Sequence, residues 1–351
     1  MKKKIAVLHA QIPFVRGGAE LMVESLVKQL KQRGFEADLI SMPFKWYPEA
    51  STLMDSYLMW RMADLTEVDG AKIDLVIATK APTYLLPHPN KVVWLMNQHR
   101  PAYDLHDSVP VGGFNVNPNE EKYRDVIVRM DNKGINEAKE VYSISKVVSN
   151  RFEHYNHIHS TPLYHPPALA GRYRSEEYGA YVLAVGRLDS QKRQNLLIQA
   201  LPFCDKNVRA VIAGDGKDLE WLQKLAVEKG VEDRVDFLGF VSDDALLKLY
   251  ANALTVCVTP VDEDYCYITL EAFLSKRPVI TCGDSSGVLE FARQEENAIV
   301  CDCENPEEIG SAINTLYHDK GVARGYGENG YNMVKDISWE NVISELTKTV
   351  R

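Results

Sequence analysis

Short runs of apolar, often β-branched residues alternate along the whole chain with longer stretches whose apolar positions return every three or four residues. That alternation predicts parallel strands with helices packed on both faces of a sheet. In the first half the strand candidates are Lys4–His9, Ala37–Ser41, Asp74–Thr79, Val92–Met96 and Val141–Ile144. Between the first two, Ala19, Met22, Leu26, Val27 and Leu30 recur at helical spacing and Gly34 supplies a stop, giving one strand–helix–strand unit. The stretch from His154 to Arg172 carries Pro162, Pro166, Pro167 and Gly171 without a clear period, and the interdomain linker is placed there. A second series follows with Tyr181–Val185, Val208–Ala213, Val235–Leu238, Leu254–Thr259, Pro278–Thr281 and Ala298–Val300 as strands. Lys217–Lys229, Asp243–Ala253 and Trp339–Val350 have helical spacing.

The fold class is therefore α/β, doubly wound, occurring twice. A length of 351 residues agrees, since about 150 residues make one domain, and two lobes imply a cleft. The net charge of −9 disfavours nucleic acid as a partner, because that role needs a basic face. It also disfavours broad attachment to anionic lipid, though a local patch would allow peripheral membrane contact. The apolar run Ile5–Ala10 is too short for a signal-peptide core, and no stretch approaches the roughly 20 apolar residues that span a bilayer. The expected compartment is the cytoplasm, including the periphery of a membrane. Six scattered cysteines, Cys204, Cys257, Cys266, Cys282, Cys301 and Cys303, read as buried free thiols. Cys301-Asp302-Cys303 has no second ligand pair beside it and does not read as a metal site.

Ligands of open α/β sheets bind beyond the carboxyl ends of the strands, and four segments lie there. Gly17-Gly18 follows the first strand and opens a helix, where free N–H groups favour an anion; an ordinary turn is the plainer alternative. Gly186-Arg187-Leu188-Asp189-Ser190-Gln191-Lys192-Arg193 offers a guanidinium fork at Arg187 and an ammonium at Lys192 able to neutralise a diphosphate, unless it is a solvated basic loop. Glu263 and Glu271 bracket a helix start formed by Tyr267, Ile268 and Thr269, which would place two carboxylates at different depths beside another anion-favouring terminus. His99, just past the strand ending at Met96, is either a structural histidine or a hydrogen-bonding group for a sugar.

Together these segments resemble the retaining glycosyltransferases of family four, glycosyl transferases group 1, over nearly the whole chain and in the right order. The resemblance implies the GT-B fold, two Rossmann-like domains facing each other across a cleft. It divides the chain into an acceptor domain at 1–168, a donor domain at 169–336 and a helix at 337–351 crossing back onto the first domain. By the same resemblance Arg187 and Lys192 hold the donor diphosphate, Glu263 the transferred sugar and Glu271 the nucleotide ribose. Gly18 passes under the diphosphate from the first domain, and Gly17 and Gly186 are donor-binding with it. His99 contacts the sugar near the reaction centre. Gly239-Phe240-Val241 falls where the family holds the base, mainly through the backbone of Phe240 and Val241.

The implied reaction is transfer of a hexose, with retention, from a nucleotide diphosphate sugar to a glycan or lipid-linked glycan acceptor. UDP-glucose is the preferred donor and GDP-mannose the alternative. No metal or other cofactor is expected, because Arg187 and Lys192 supply the positive charge; the Asp-x-Asp form of Asp262-Glu263-Asp264 coincides with the family's acidic loop. One departure is Cys266, which stands where the family usually has glycine and bears on the donor-sugar pocket. A sugar-nucleotide epimerase and a non-catalytic nucleotide-sugar-binding protein fit the same residues less well. Acceptor choice leaves no pattern, although Trp46, Tyr47, Tyr57, Trp60 and Tyr103 are either sugar-stacking residues or core.

Overall fold

The computed structural model describes residues 2–45, 50–107 and 118–350. The chain forms two compact units, Met1–Ala168 together with Ser338–Arg351, and Leu169–Ile337.

In the first unit, β1 (Lys4–Gln11), α1 (Gly18–Gln32), β2 (Glu36–Pro43), α2 (Ala50–Met62), β3 (Leu75–Ala78), β4 (Lys91–Leu95), α3 (Pro118–Asn136), β5 (Glu140–Ser143), α4 (Lys146–Asn156) and β6 (Thr161–Pro162) build one parallel sheet and its covering helices. The strand order is β2-β1-β3-β4-β5-β6. Val7, Leu8, Val76, Ile77 and Val93 are fully buried, as strands covered on both faces require.

The expected linker is partly a structural element of this unit. Residues Thr161–Pro162 pair with β5 as an edge strand, a place where proline's missing N–H is tolerated. Beyond it, His165 is buried and stacks on Trp339 with ring centroids 5.9 Å apart. The change of unit falls at Ala168/Leu169.

The second unit contains β7 (Tyr181–Val185), α5 (Asn195–Ala200), β8 (Arg209–Ala213), α6 (Leu219–Glu228), β9 (Val235–Gly239), α7 (Asp243–Asn252), β10 (Thr255–Val258), α8 (Tyr267–Leu274), β11 (Val279–Cys282), β12 (Ala298–Cys301), α9 (Pro306–His318) and α10 (Lys320–Val334). Its parallel order is β9-β8-β7-β10-β11-β12. The order reverses between β7 and β10, so the loops after these two strands flank a crevice at the carboxyl edge. In the first unit the same reversal lies between β1 and β3.

The last helix, α11 (Trp339–Leu346), belongs to the first unit. Ser338 caps it by accepting from the Asn341 N–H. Trp339 packs edge-on against Trp94, Arg33 bonds Glu340 at 2.9 Å, and Tyr142 donates to Glu345 at 2.9 Å. None of the described helices is long and apolar enough to cross a membrane.

The cysteine expectation needs correction at one pair. Cys282 and Cys303 form a disulfide, with Cα atoms 5.6 Å apart. Parallel pairing of β11 with β12 sets Cys282 opposite Cys301 and brings Cys303, two residues further, within reach. The remaining four cysteines are free and buried.

Candidate active site

The loop after β7 is shaped by backbone constraints before any ligand is considered. Gly214 has φ +147°, and a β-carbon there would lie 1.9 Å from the Gly186 carbonyl oxygen, so the loops after β7 and β8 approach closely only because this position is glycine. Asp189 then accepts from the N–H groups of Gln191 and Lys192 at 3.1 Å each, folding the loop back toward β10. Gln194 donates to the Arg187 carbonyl at 2.9 Å. This leaves the Arg187 guanidinium well exposed, 3.5 Å from Asp189, while Lys192 turns inward.

Across the reversal point, Lys192 is ion-paired with Glu263, and both side chains are largely buried. Burial disfavours the ammonium, but the Glu263 carboxylate outweighs it and holds Lys192 above its ordinary value. A narrow cavity beside the pair is lined by Lys192, Gln194, Thr259, Cys266 and Ile268. Cys266 is the residue before α8, buried, with its thiol raised to about 11 mainly by burial. Its side chain thus forms part of the wall of the crevice where a glycine would leave space.

Glu271 lies one to two turns into α8, where its carboxylate accepts from the Tyr250 hydroxyl at 2.6 Å and stands beside Tyr173. Burial raises the Glu271 carboxyl above its ordinary range, and the tyrosine hydroxyls act in the opposite direction. At the outer end of the same crevice edge, Gly239 has φ +63° and accepts from the Gly214 N–H at 2.9 Å. Phe240 follows with 91% of its surface exposed, and Val241 is half-buried. Arg187, Lys192, Glu263, Gly186, Tyr267, Ile268 and Thr269 therefore converge on the loops at one reversal point, with Glu271 on the same helix.

The other expected residues lie in the first unit. The start of α1 already holds an anion of its own: Glu20 accepts from the Gly17 N–H at 2.8 Å, the one arm of a capping box that a glycine N-cap can make, and meets His9 at 3.3 Å. Burial alone would raise the Glu20 carboxyl; the bonds from His9 and Gly17 reverse this and bring it to about 2. Burial lowers His9, and it lowers Lys80, whose charge also acts on Glu20. Gly18 is exposed beside this cluster. His99 is buried just before a single helical turn, and burial lowers it to about 4, leaving a neutral imidazole at physiological pH.

Several partners escaped sequence reasoning. Tyr173 and Tyr250 around Glu271, the His9–Glu20–Lys80 cluster, and Arg193 behind Lys192 are contacts between distant segments. Tyr57, Trp60 and Tyr103 are core rather than sugar-stacking residues: all are essentially buried, and Tyr57 and Tyr103 donate to the buried Asp131 carboxylate at 3.4 and 2.6 Å. Trp46, Tyr47 and residues 108–117 of the loop Pro101–Glu121 lie outside the described residues. Among the described residues no group of three His, Cys, Asp or Glu is arranged to hold a metal ion.

Comparison with known proteins adds likenesses of sequence and of fold. Residues 170–333 match the family model described as Glycosyl transferases group 1. An uncharacterized glycosyltransferase of Methanocaldococcus jannaschii is 36% identical over 176 residues, 48% of this chain and 44% of the relative. A GDP-mannose-dependent alpha-(1-6)-phosphatidylinositol monomannoside mannosyltransferase of Mycobacterium tuberculosis is 31% identical over 194 residues, 52% of this chain and 50% of the relative. The chain thus aligns with about half the length of the curated relatives it matches. Anabaena HepE, solved in complex with UDP and glucose, superposes with a TM-score of 0.71 at 18% identity over 99% of both chains, a likeness of fold.

Proposed function

We propose, from the match of residues 170–333 to the family model described as Glycosyl transferases group 1, that the chain transfers a hexose from a nucleoside diphosphate sugar to a glycan or lipid-linked glycan acceptor, with retention and without a metal. The observation that carries the reading is the pairing of Lys192 with Glu263 beside an exposed Arg187 at the reversal point of the second sheet. A diphosphate leaving group develops negative charge as the glycosidic bond breaks, and fixed cations aimed at it lower that barrier. Arg187 supplies a planar fork for two phosphate oxygens and Lys192 a point charge. Glu263 fixes the ammonium and offers its remaining acceptor capacity to sugar hydroxyls. Glu271 and the first turn of α8 face the ribose and phosphates, and the exposed Phe240 with the Val241 backbone receives the base.

For the first unit the proposal assigns Gly17 and Gly18 to the diphosphate and His99 to the transferred sugar. A neutral imidazole at His99 both donates and accepts a hydrogen bond, which suits a hydroxyl partner. The leaving phosphate takes the acceptor's proton, since no residue in a matched position is placed as a covalent nucleophile. UDP-glucose is the favoured donor. A GDP-mannose donor is the second reading, supported by the name of the mycobacterial relative.

Calorimetry with UDP, GDP, ADP and their hexose conjugates, with and without EDTA, tests this on the wild type and on Arg187→Ala. One nucleoside diphosphate should bind, keep its affinity in EDTA, and weaken about tenfold to hundredfold in the variant, as loss of a charged hydrogen-bonding partner does. Binding by none of them, or only after metal is added, would overturn the proposal.

A further inference from the structure

Arg193 follows Lys192 directly and has φ +53°, in the left-handed region that a residue with a β-carbon enters only when its surroundings demand it. The surroundings are visible. Its Nε donates to the Thr259 carbonyl at 2.7 Å and its Nη2 to the Pro260 carbonyl at 3.2 Å. The same guanidinium grips both oxygens of Asp284, at 2.8 and 2.6 Å. One side chain therefore ties together the loops after β7, β10 and β11.

The third loop in turn holds the acid. The Asp284 carbonyl accepts from the Asp262 N–H at 3.1 Å, Ser286 donates to the Asp262 carboxylate at 2.9 Å, and the Gly287 N–H donates to the Glu263 carbonyl at 2.8 Å. On the other side, Val261 N–H donates to the Gln191 carbonyl at 2.9 Å. Lys192 and Glu263 are thus each flanked by segments that end on Arg193 or on its partner Asp284. With its guanidinium on these groups, Arg193 sits behind the Lys192–Glu263 pair.

We propose that Arg193 is a positioning residue that fixes Lys192 and Glu263 in register across the reversal point. The inference rests on the donor-site reading above for its catalytic consequence, but the clamp itself is a property of the fold. The strained backbone of Arg193 is the cost of bringing a fork to three carbonyl and carboxylate acceptors that no lysine could reach together.

The test uses the full chain and Arg193→Gly, which relieves the backbone at this position while deleting the fork, with Arg193→Lys as the conservative comparison. Hydrogen–deuterium exchange over residues 187–193 and 259–266 should speed up about tenfold in Arg193→Gly, with exchange in the first unit unchanged. In parallel, Glu263→Gln is combined with Arg193→Gly and turnover of the nucleoside diphosphate hexose is measured. The single Arg193→Gly change should lower kcat/KM about tenfold in the wild type and only about threefold in the Glu263→Gln background, because Lys192 alone is then left to position. Arg193→Lys should behave like Arg193→Gly. Unchanged exchange in both loops, or equal losses in both backgrounds, would overturn the clamp. Faster exchange in a protein that binds none of the nucleotides would instead keep the clamp and refute the donor reading.

Discussion

The two sheets reach the same architectural opportunity and use it differently. Each reverses its strand order once, between β1 and β3 in the first unit and between β7 and β10 in the second, and each reversal opens a crevice at the strands' carboxyl edge. At the first, Glu20 takes up the Gly17 N–H at the α1 N-terminus and meets His9 Nε2 inside the protein, so the counter-charge comes from the chain itself. At the second, Lys192 and Glu263 are paired but Arg187 projects outward, Phe240 stands bare and a small cavity persists between the loops. A helix terminus after a strand is thus not enough to read a ligand site. What matters is whether the chain supplies the counter-charge itself.

The largest test of that difference is removal of the cation at the second reversal. Lys192→Ala should lower kcat/KM by about 10²–10³-fold, the usual cost of losing one electrostatic group that meets developing charge. Steady-state transfer assays check it. A loss below about threefold would mean that Lys192 serves only to hold Glu263, and the two reversal points would then be alike in being internally satisfied.

At the first reversal the expected effect is on stability. Glu20 falls from 4.5 to about 2 on folding, worth about 3 kcal/mol at about 1.4 kcal/mol for each tenfold change in acidity. Because the folded value is depressed, this stabilisation is present above about pH 4.5 and is lost as pH falls through about 2. Urea unfolding followed by tryptophan fluorescence, which reports the buried Trp60 and Trp94 of this unit, should show that decline in the wild type. Glu20→Gln should be less stable at pH 7 and decline less steeply, because Asp74 and Glu137 are also held low and still titrate. Equal stability of the two proteins at pH 7 would mean that the contacts of Glu20 with the Gly17 N–H and His9 are not formed in solution.

Why the sequence revealed one part of this and not the other follows from the range of each interaction. The strands were legible because parallel strands buried on both faces read as continuous apolar runs, and the observed spans differ from the expected ones by a residue or two at their ends. Arg187, Lys192, Glu263 and Glu271 stand out as candidates because each lies in a short segment just past a strand, and the resemblance to a family gives them their roles. The partners do not stand out. Tyr250 lies 21 residues from Glu271 and Arg193 lies 91 residues from Asp284, and nothing in a local pattern says which distant hydroxyl or carboxylate the fold will deliver. The Cys282–Cys303 pair and the short β6 strand share that cause: both depend on which strands become neighbours.

A smaller effect is expected at Asp131, another internally held carboxylate of the first unit. Burial raises it to about 7 against the pull of Tyr103, Tyr84 and Tyr57. A carboxyl raised on folding stabilises most below about pH 4 and loses that contribution as pH rises through about 7. Asp131→Asn should therefore gain about 1–2 kcal/mol over the wild type at pH 8, the scale of relieving a buried charge that is already hydrogen-bonded. The same urea series at pH 5 and pH 8 measures it. A variant less stable than wild type at both values, by the same amount, would show that the carboxyl has one charge state across this range and that burial does not raise it to about 7.

The smallest effect separates two exposed phenylalanines. Phe240 follows Gly239 at the second crevice and is 91% exposed, and Phe14 follows β1 in the first unit and is fully exposed. An aromatic ring that receives a base contributes about 1 kcal/mol beyond its area, so Phe240→Ser should weaken nucleoside diphosphate binding about fivefold. Exposed side chains away from packing change stability by only about 0.5 kcal/mol, so the melting temperature should hold. Phe14→Ser, the same change in the other unit, should leave the affinity as it was. Equal weakening in both variants would mean that the rings act as general adhesive surface. No weakening in either would leave the base to the backbone of Phe240 and Val241, and the contrast between the two units would then rest on the charged groups alone.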